Sequence, residues 1–195
     1  MTQLVILTGP IAAGKNTVAD ALCHRLTRCG RTVVVADVDD VAAMVGRPGA
    51  ARVGLWFAAH EAHGALVGQW MRSDVEYVLA VGPFHTEEER GALTRTLPVD
   101  ATVLWVVIDA PVSVTLARAR ADPARVLSRD PTFHRSRHRH FRKLLPTIPA
   151  DVTFDSETLD AEQIANAIMD RLDAHRAGRC VTRTPPASIR TSPVS

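Results

Sequence analysis

The nine residues Gly9-Pro10-Ile11-Ala12-Ala13-Gly14-Lys15-Asn16-Thr17 constrain this chain more than any other stretch. They stand between a short apolar run, Gln3–Thr8, and a segment in which Val18, Ala21, Leu22 and Leu26 recur at helical spacing. A G-x-x-x-x-G-K turn between strand and helix serves one recurrent purpose. Its two glycines let the backbone wrap an anion with amide hydrogens pointing inward, and the helix N-terminus adds partial positive charge. Lys15 then reaches the outer oxygens of a phosphate chain. The stretch therefore predicts an α/β fold and a phosphate site formed by Gly9, Ile11, Ala12, Ala13, Gly14, Lys15, Asn16 and Thr17. Asn16 occupies the place where Ser or Thr usually offers a hydroxyl to Mg²⁺, and its amide oxygen is also an acceptable hard ligand.

The rest of the chain reads as strands alternating with helices. Thr32–Val38, Val75–Val81 and Thr102–Ile108 are apolar or β-branched runs without alternation, as expected of parallel strands covered on both faces; Asp151–Phe154 adds a short fifth strand. Helices are predicted at Gly14–Arg28, Leu55–Arg72, Glu87–Arg95, Pro111–Arg120 and Asp160–His175. The stretch Arg118–Lys143 is dense in Arg and His and poor in apolar residues, and is expected to be a mobile surface segment. After about Gly178 the mix of Pro, Ser, Thr and Arg cannot bury a core, so 178–195 is expected to be a disordered tail on a single domain of residues 1–177.

Composition sets outer limits. Lys+Arg 23 against Asp+Glu 21 gives a formal charge of +2, too balanced to argue for nucleic-acid or membrane partners. No apolar run approaches a membrane span, and the N-terminus lacks a signal-peptide pattern. Three cysteines without a CxxC spacing suit a reduced, cytoplasmic setting.

The chemistry beside the phosphate loop must come from acids elsewhere. A guanine-reading Asn-Lys-x-Asp motif is absent, because the only other lysine, Lys143, lies between Arg142 and Leu144. Strand three ends Leu79-Ala80-Val81-Gly82-Pro83-Phe84, without the acids with which motor ATPases polarise water. Strand two, however, runs into Asp37-Val38-Asp39-Asp40. Alternation along an extended strand places Asp37 and Asp39 on one side, at the carboxyl end where open α/β sheets bind ligands. One carboxylate there can serve Mg²⁺ and the other can take a proton from an attacking hydroxyl. The structural alternative is that these acids cap the next helix, a role that suits Asp40.

With these residues in place, the chain resembles the small-molecule kinases of the P-loop superfamily (shikimate kinase, gluconate kinase and chloramphenicol phosphotransferase) over about residues 3–175. The resemblance implies a three-layer fold around a five-stranded parallel sheet of order 2-3-1-4-5, with ATP and Mg²⁺ bound. It assigns Asp37 to the metal, with Asn16, and Asp39 to the acceptor hydroxyl as base. Gly82 and Pro83 fall at the substrate side of strand three. Arg125 and Arg129 resemble the R-x-x-x-R of an Arg-rich lid, here about residues 118–143, that neutralises the transferring group and touches the nucleotide through Arg125. Where shikimate kinases carry an arginine just after a Phe on the long helix, this chain has Phe57-Ala58, so a carboxylate grip is missing. Phe57 and His60 on that helix are then candidates for contact with an apolar or aromatic acceptor.

The resulting expectation is an ATP-dependent phosphotransferase acting on a hydroxyl of a small molecule, a metabolite or a natural product. It would be monomeric or homodimeric, without nucleic-acid or membrane partners. A nucleoside or nucleoside monophosphate kinase and a non-catalytic nucleotide-dependent switch are the alternatives.

Overall fold

The computed structural model describes residues 2–46 and 49–181. The first strand, β1 (Gln3–Thr8), is buried along its whole length, because every residue from Gln3 to Thr8 faces one of two packed layers. It runs at the centre of a five-stranded, all-parallel sheet of order β2-β3-β1-β4-β5. The other strands are β2 (Val33–Asp37), β3 (Tyr77–Val81), β4 (Thr102–Asp109) and β5 (Val152–Asp155). In register, Leu7 pairs with Val81 on one side and Val106 on the other, and Asp37 lies beside Val81. The carboxyl ends of β1, β2 and β3 thus finish at one level.

Odd and even positions of β1 feed two cores. Val5 and Leu7 pack with Leu22 and Leu26 of α1 (Lys15–Arg28) and with Ile164 and Ile168 of α7 (Ala161–Val181). Leu4 and Ile6 pack with Val67 of α3 (Trp56–Trp70) and Leu93 of α4 (Glu87–Thr94). This is the three-layer α/β arrangement that unrelieved apolar strands require.

Between these lie α2 (Val38–Ala43), α5 (Val112–Ala121) and α6 (Pro131–Leu144). Two of them differ from the sequence expectation. Strand two stops at Asp37, and Val38 already begins a helix, because the Asp37 carboxylate accepts the Asp39 N–H at 2.9 Å and turns the chain. The cap is Asp37, therefore, and not Asp40.

The expected mobile segment is instead largely α6, with His134, His138 and Phe141 buried on one face. Periodicity concealed this helix because histidines take the place of aliphatic residues. Each finds a backbone carbonyl: His138 donates to Ala110 O at 3.0 Å, and His134 bonds Ser128 O at 2.9 Å. Arg142 fixes the far end with two bonds to Asp109, at 2.6 and 2.9 Å, and one to Ala110 O. The tail expected at 178–195 lies outside the described residues from position 182; α7 itself continues to Val181.

Candidate active site

The phosphate loop folds as its residue types demand. Gly9 has φ 147° and stands so close to β4 that a Cβ there would meet Ile108 O at 1.9 Å, so no other residue fits. Ala12 has φ 57°, a left-handed conformation that costs a non-glycine residue energy and is held by its surroundings. Gly14 caps α1 at φ 98°. The loop is braced from outside: Ser156, after β5, donates through Oγ to Ala13 O at 2.8 Å, and Arg118 donates to Ser156 Oγ and O at 2.9 and 2.6 Å. Ala13 itself is buried in the core and contributes its backbone to this brace.

Lys15 lies folded over its own loop, donating to Gly9 O at 3.1 Å and Pro10 O at 3.0 Å. Desolvation in the cleft pulls its pKa down to about 8, against the pull of Asp39 and Asp37, with Arg125 lowering it further. The Gly9 carbonyl has a second donor, His85 Nε2 at 3.1 Å. His85 is buried, its ring packs against Phe141 at 5.0 Å, and burial lowers its pKa to about 4, so it stays neutral. Its main chain is equally fixed: the N–H reaches Glu89 Oε2 at 2.9 Å and the carbonyl accepts from Arg90. Glu89 also closes a capping box with Thr86 at the start of α4. Sequence reading missed His85, although its position three residues past Gly82 was the available signal.

At the end of β2, Asn16 Nδ2 donates to Asp37 Oδ2 at 2.5 Å. The two residues expected to serve a metal are thus in contact, brought together from α1 and β2. Among the described residues no group of three or more His, Cys, Asp or Glu is placed to hold a metal ion. A divalent cation at Asp37 and Asn16 would take its remaining ligands from phosphate oxygens and water, which is the normal habit of Mg²⁺ and suits this donor set. In the first turn of α2, Asp39 lines the same space. Its pKa is raised, by desolvation first and by the like charge of Asp37 second, while Lys15 and Arg125 oppose the shift.

These groups open onto one cavity of about 730 Å³. Its floor is the phosphate loop, with Gly9, Ile11, Ala12, Gly14, Lys15 and Asn16, continued by Thr17. It is lined further by Asp37, Asp39, Ala51, Trp56, Gly82, Pro83 and His85, and by Arg125, Val126, Leu127, Ser128, Phe133 and Arg137. Arg125 also donates to Asp122 at 3.0 Å.

Besides Ala13, three of the residues singled out in the sequence do not line this space. Phe57 is 43% exposed on α3, one residue round from Trp56, which takes the wall position instead. His60 is buried behind Trp56, with Nδ1 bonded to Trp56 O at 3.1 Å and its ring edge-on to Trp56 at 5.1 Å. Arg129 ends the short 3-10 turn Leu127–Arg129 and stays exposed outside the cavity, because Arg125 and Arg129 are not on one continuous helix. Arg137, eight residues later on α6, lines the cavity in its place.

No family model matches the chain, and no curated protein sequence matches it. The fold, by contrast, has many counterparts among solved structures. Shikimate kinase from Acinetobacter baumannii in complex with shikimate superposes with a TM-score of 0.58 at 20% identity, over 90% of this chain and 96% of that one. Shikimate kinase from Bacteroides thetaiotaomicron gives 0.64 at 15% identity, over 88% and 98%. The tunicamycin resistance protein of Deinococcus radiodurans gives 0.62 at 15% identity, over 88% and 96%. The chain has the P-loop kinase fold that these proteins share, with the sheet order expected from the sequence.

Proposed function

We propose that this protein transfers the γ-phosphoryl group of ATP to a hydroxyl of a small molecule. The observation that carries the reading is the convergence on one cavity of a phosphate loop, a carboxyl of raised pKa just after β2, and the two arginines Arg125 and Arg137.

The phosphate chain would lie on the loop amides, with Lys15 exchanging its bonds to Gly9 O and Pro10 O for bonds to the outer phosphates. Mg²⁺, held by Asp37 and Asn16 together with phosphate oxygens, would supply charge neutralisation. Asp39 orients the acceptor hydroxyl and takes its proton. The acceptor oxygen then bonds to the γ-phosphorus as the bond to the β,γ-bridging oxygen breaks and ADP leaves. Arg125 and Arg137 face the equatorial oxygens, where charge spreads in the transition state.

ADP release from Mg²⁺-ATP across sugars, cyclic alcohols, nucleosides and hydroxylated natural products tests the reading. Acceptor-dependent release is expected, and Asp39→Asn should lower it by about 10²–10⁴-fold with nucleotide affinity nearly unchanged. Normal turnover by that variant would remove Asp39 from the role of base. ATP binding without release to any acceptor would favour a nucleotide-dependent switch.

A further inference from the structure

Trp56, the tryptophan that lines the cavity, is the end of a ladder of packed rings. Trp56 is backed by His60 at 5.1 Å; His60 meets Phe84 edge-on at 6.0 Å; Phe84 stacks on His63 at 5.6 Å. The ladder ends on the strand that presents the acids, because His63 Nε2 donates to Ala36 O at 2.9 Å, the residue before Asp37. On its other side Trp56 packs against the small residues Ala42, Ala50 and Ala59, which set α2 and α3 close together. The indole is thus held from two directions, and its height relative to Asp37 is set by four rings in series. A flat ligand group stacked on it loses little freedom to side-chain ordering.

The charges in the cavity are spoken for. Among the described residues its cations are Lys15, Arg125 and Arg137. Arg125 acts electrostatically on both Lys15 and Asp39, and Arg137 and Lys15 both act on His85. All three therefore gather about the phosphate loop and the point of transfer, where a triphosphate needs them. The other described lining residues include Ala51, Trp56, Pro83 and the carboxylates of Asp37 and Asp39, which repel an anion.

We propose that the acceptor is an uncharged alcohol carrying a flat apolar ring, seated on Trp56 with its hydroxyl toward Asp39, and that Trp56 sets specificity against acidic acceptors. The inference takes the place of the hydroxyl from the phosphotransfer reading above, but the class of ligand can be measured without turnover.

Four probes separate ring from charge: phenyl β-D-glucoside, phenyl β-D-glucuronide, methyl β-D-glucoside and methyl β-D-glucuronide. Each is titrated into nucleotide-free protein by calorimetry and by tryptophan fluorescence, Trp56 being the cavity's own tryptophan beside Trp70 and Trp105 elsewhere. The phenyl glucoside is expected to bind about tenfold or more tighter than both the phenyl glucuronide and the methyl glucoside, and to quench fluorescence. Trp56→Leu should erase the advantage of the phenyl group and the quench, while Trp56→Phe retains most of the affinity. Equal or tighter binding of the glucuronides, no gain from the phenyl group, or no binding by any probe overturns the proposal. A separate titration with Mg²⁺ and β,γ-imido-ATP reads the phosphate site alone, so its failure would strike the phosphotransfer reading and leave the four-probe result standing.

Discussion

Asp39 lies between a like charge, Asp37, and two cations, Lys15 and Arg125, and burial tips the balance toward its protonated form. A base must be ionised to act. Activity should therefore fall as pH drops through a value above the ordinary carboxylate range, visible as the acidic limb of kcat/KM. For folding the sign is the reverse: a carboxyl whose pKa rises on folding contributes stability when protonated and loses it as pH rises. Asp39→Asn should thus raise the Tm of the ligand-free protein at neutral pH, by about 1–2 °C, while abolishing turnover. An unchanged or lowered Tm would contradict the electrostatic account.

Lys15 makes a complementary prediction. With a pKa near 8 in the ligand-free cleft, it is about half protonated at pH 8, and phosphate oxygens would restore its charge. Nucleotide binding at pH 8 should take up about half a proton, seen as a binding enthalpy that depends on the buffer's ionisation enthalpy, and little at pH 6.5. Lys15→Ala should abolish that uptake. His85, neutral because its pKa is about 4, acts as a positioning residue through the Gly9 carbonyl, which keeps this donor when Lys15 turns to phosphate. His85→Leu should weaken nucleotide binding about tenfold, the worth of one buried hydrogen bond, and His85→Gln should restore most of it by supplying an N–H at similar reach. Equal loss in both variants would reduce His85 to a packing residue.

At the scale of elements, α3 and α4 approach each other closely through a glycine. A Cβ on Gly64 of α3 would stand 2.1 Å from Ala92 O, a backbone atom of α4 that cannot swing aside. The pair is tied further by Thr96 Oγ1 donating to Gly64 O at 2.6 Å and by Arg72, which donates to Gly68 O and Thr96 O. Gly64→Ala should destabilise the fold by about 1–3 kcal/mol, read from the denaturant midpoint. Gly91→Ala, on α4 with open space around it, should instead gain about 0.5–1 kcal/mol. Opposite responses of two helical glycines separate close approach from helix propensity. The same scale explains the histidines of α6: their rings satisfy carbonyls at Ala110 and Ser128, as aliphatic side chains cannot, and they seat the helix that carries Phe133 and Arg137 to the cavity.

Over the whole molecule, the cavity lies at one end of the sheet, because parallel strands deliver their carboxyl ends to one level. The five strand runs, the loop between β1 and α1, and the helices α1, α3, α4, α5 and α7 were legible in the sequence, since strand burial and helical spacing are local properties of residue order. So was the placement of Lys15, Asn16 and Asp37 at the loop and the strand end, which needs no help from distant contacts. Local pattern could not settle what depends on packing between segments far apart. Asp37 ends its strand by capping α2, so Asp39 reaches the cavity by a helical turn rather than by strand alternation. On α3 the wall position belongs to Trp56 and not Phe57, because the small residues Ala42, Ala50 and Ala59 fix how that helix is rotated. Arg137 rather than Arg129 lines the cavity, because buried histidines turned an expected surface segment into a helix. Residue order determined the sheet, the loop and the acids at its edge; the rotation of each helix against that sheet, a matter of long-range shape and buried hydrogen bonds, decided which neighbouring side chains form the site.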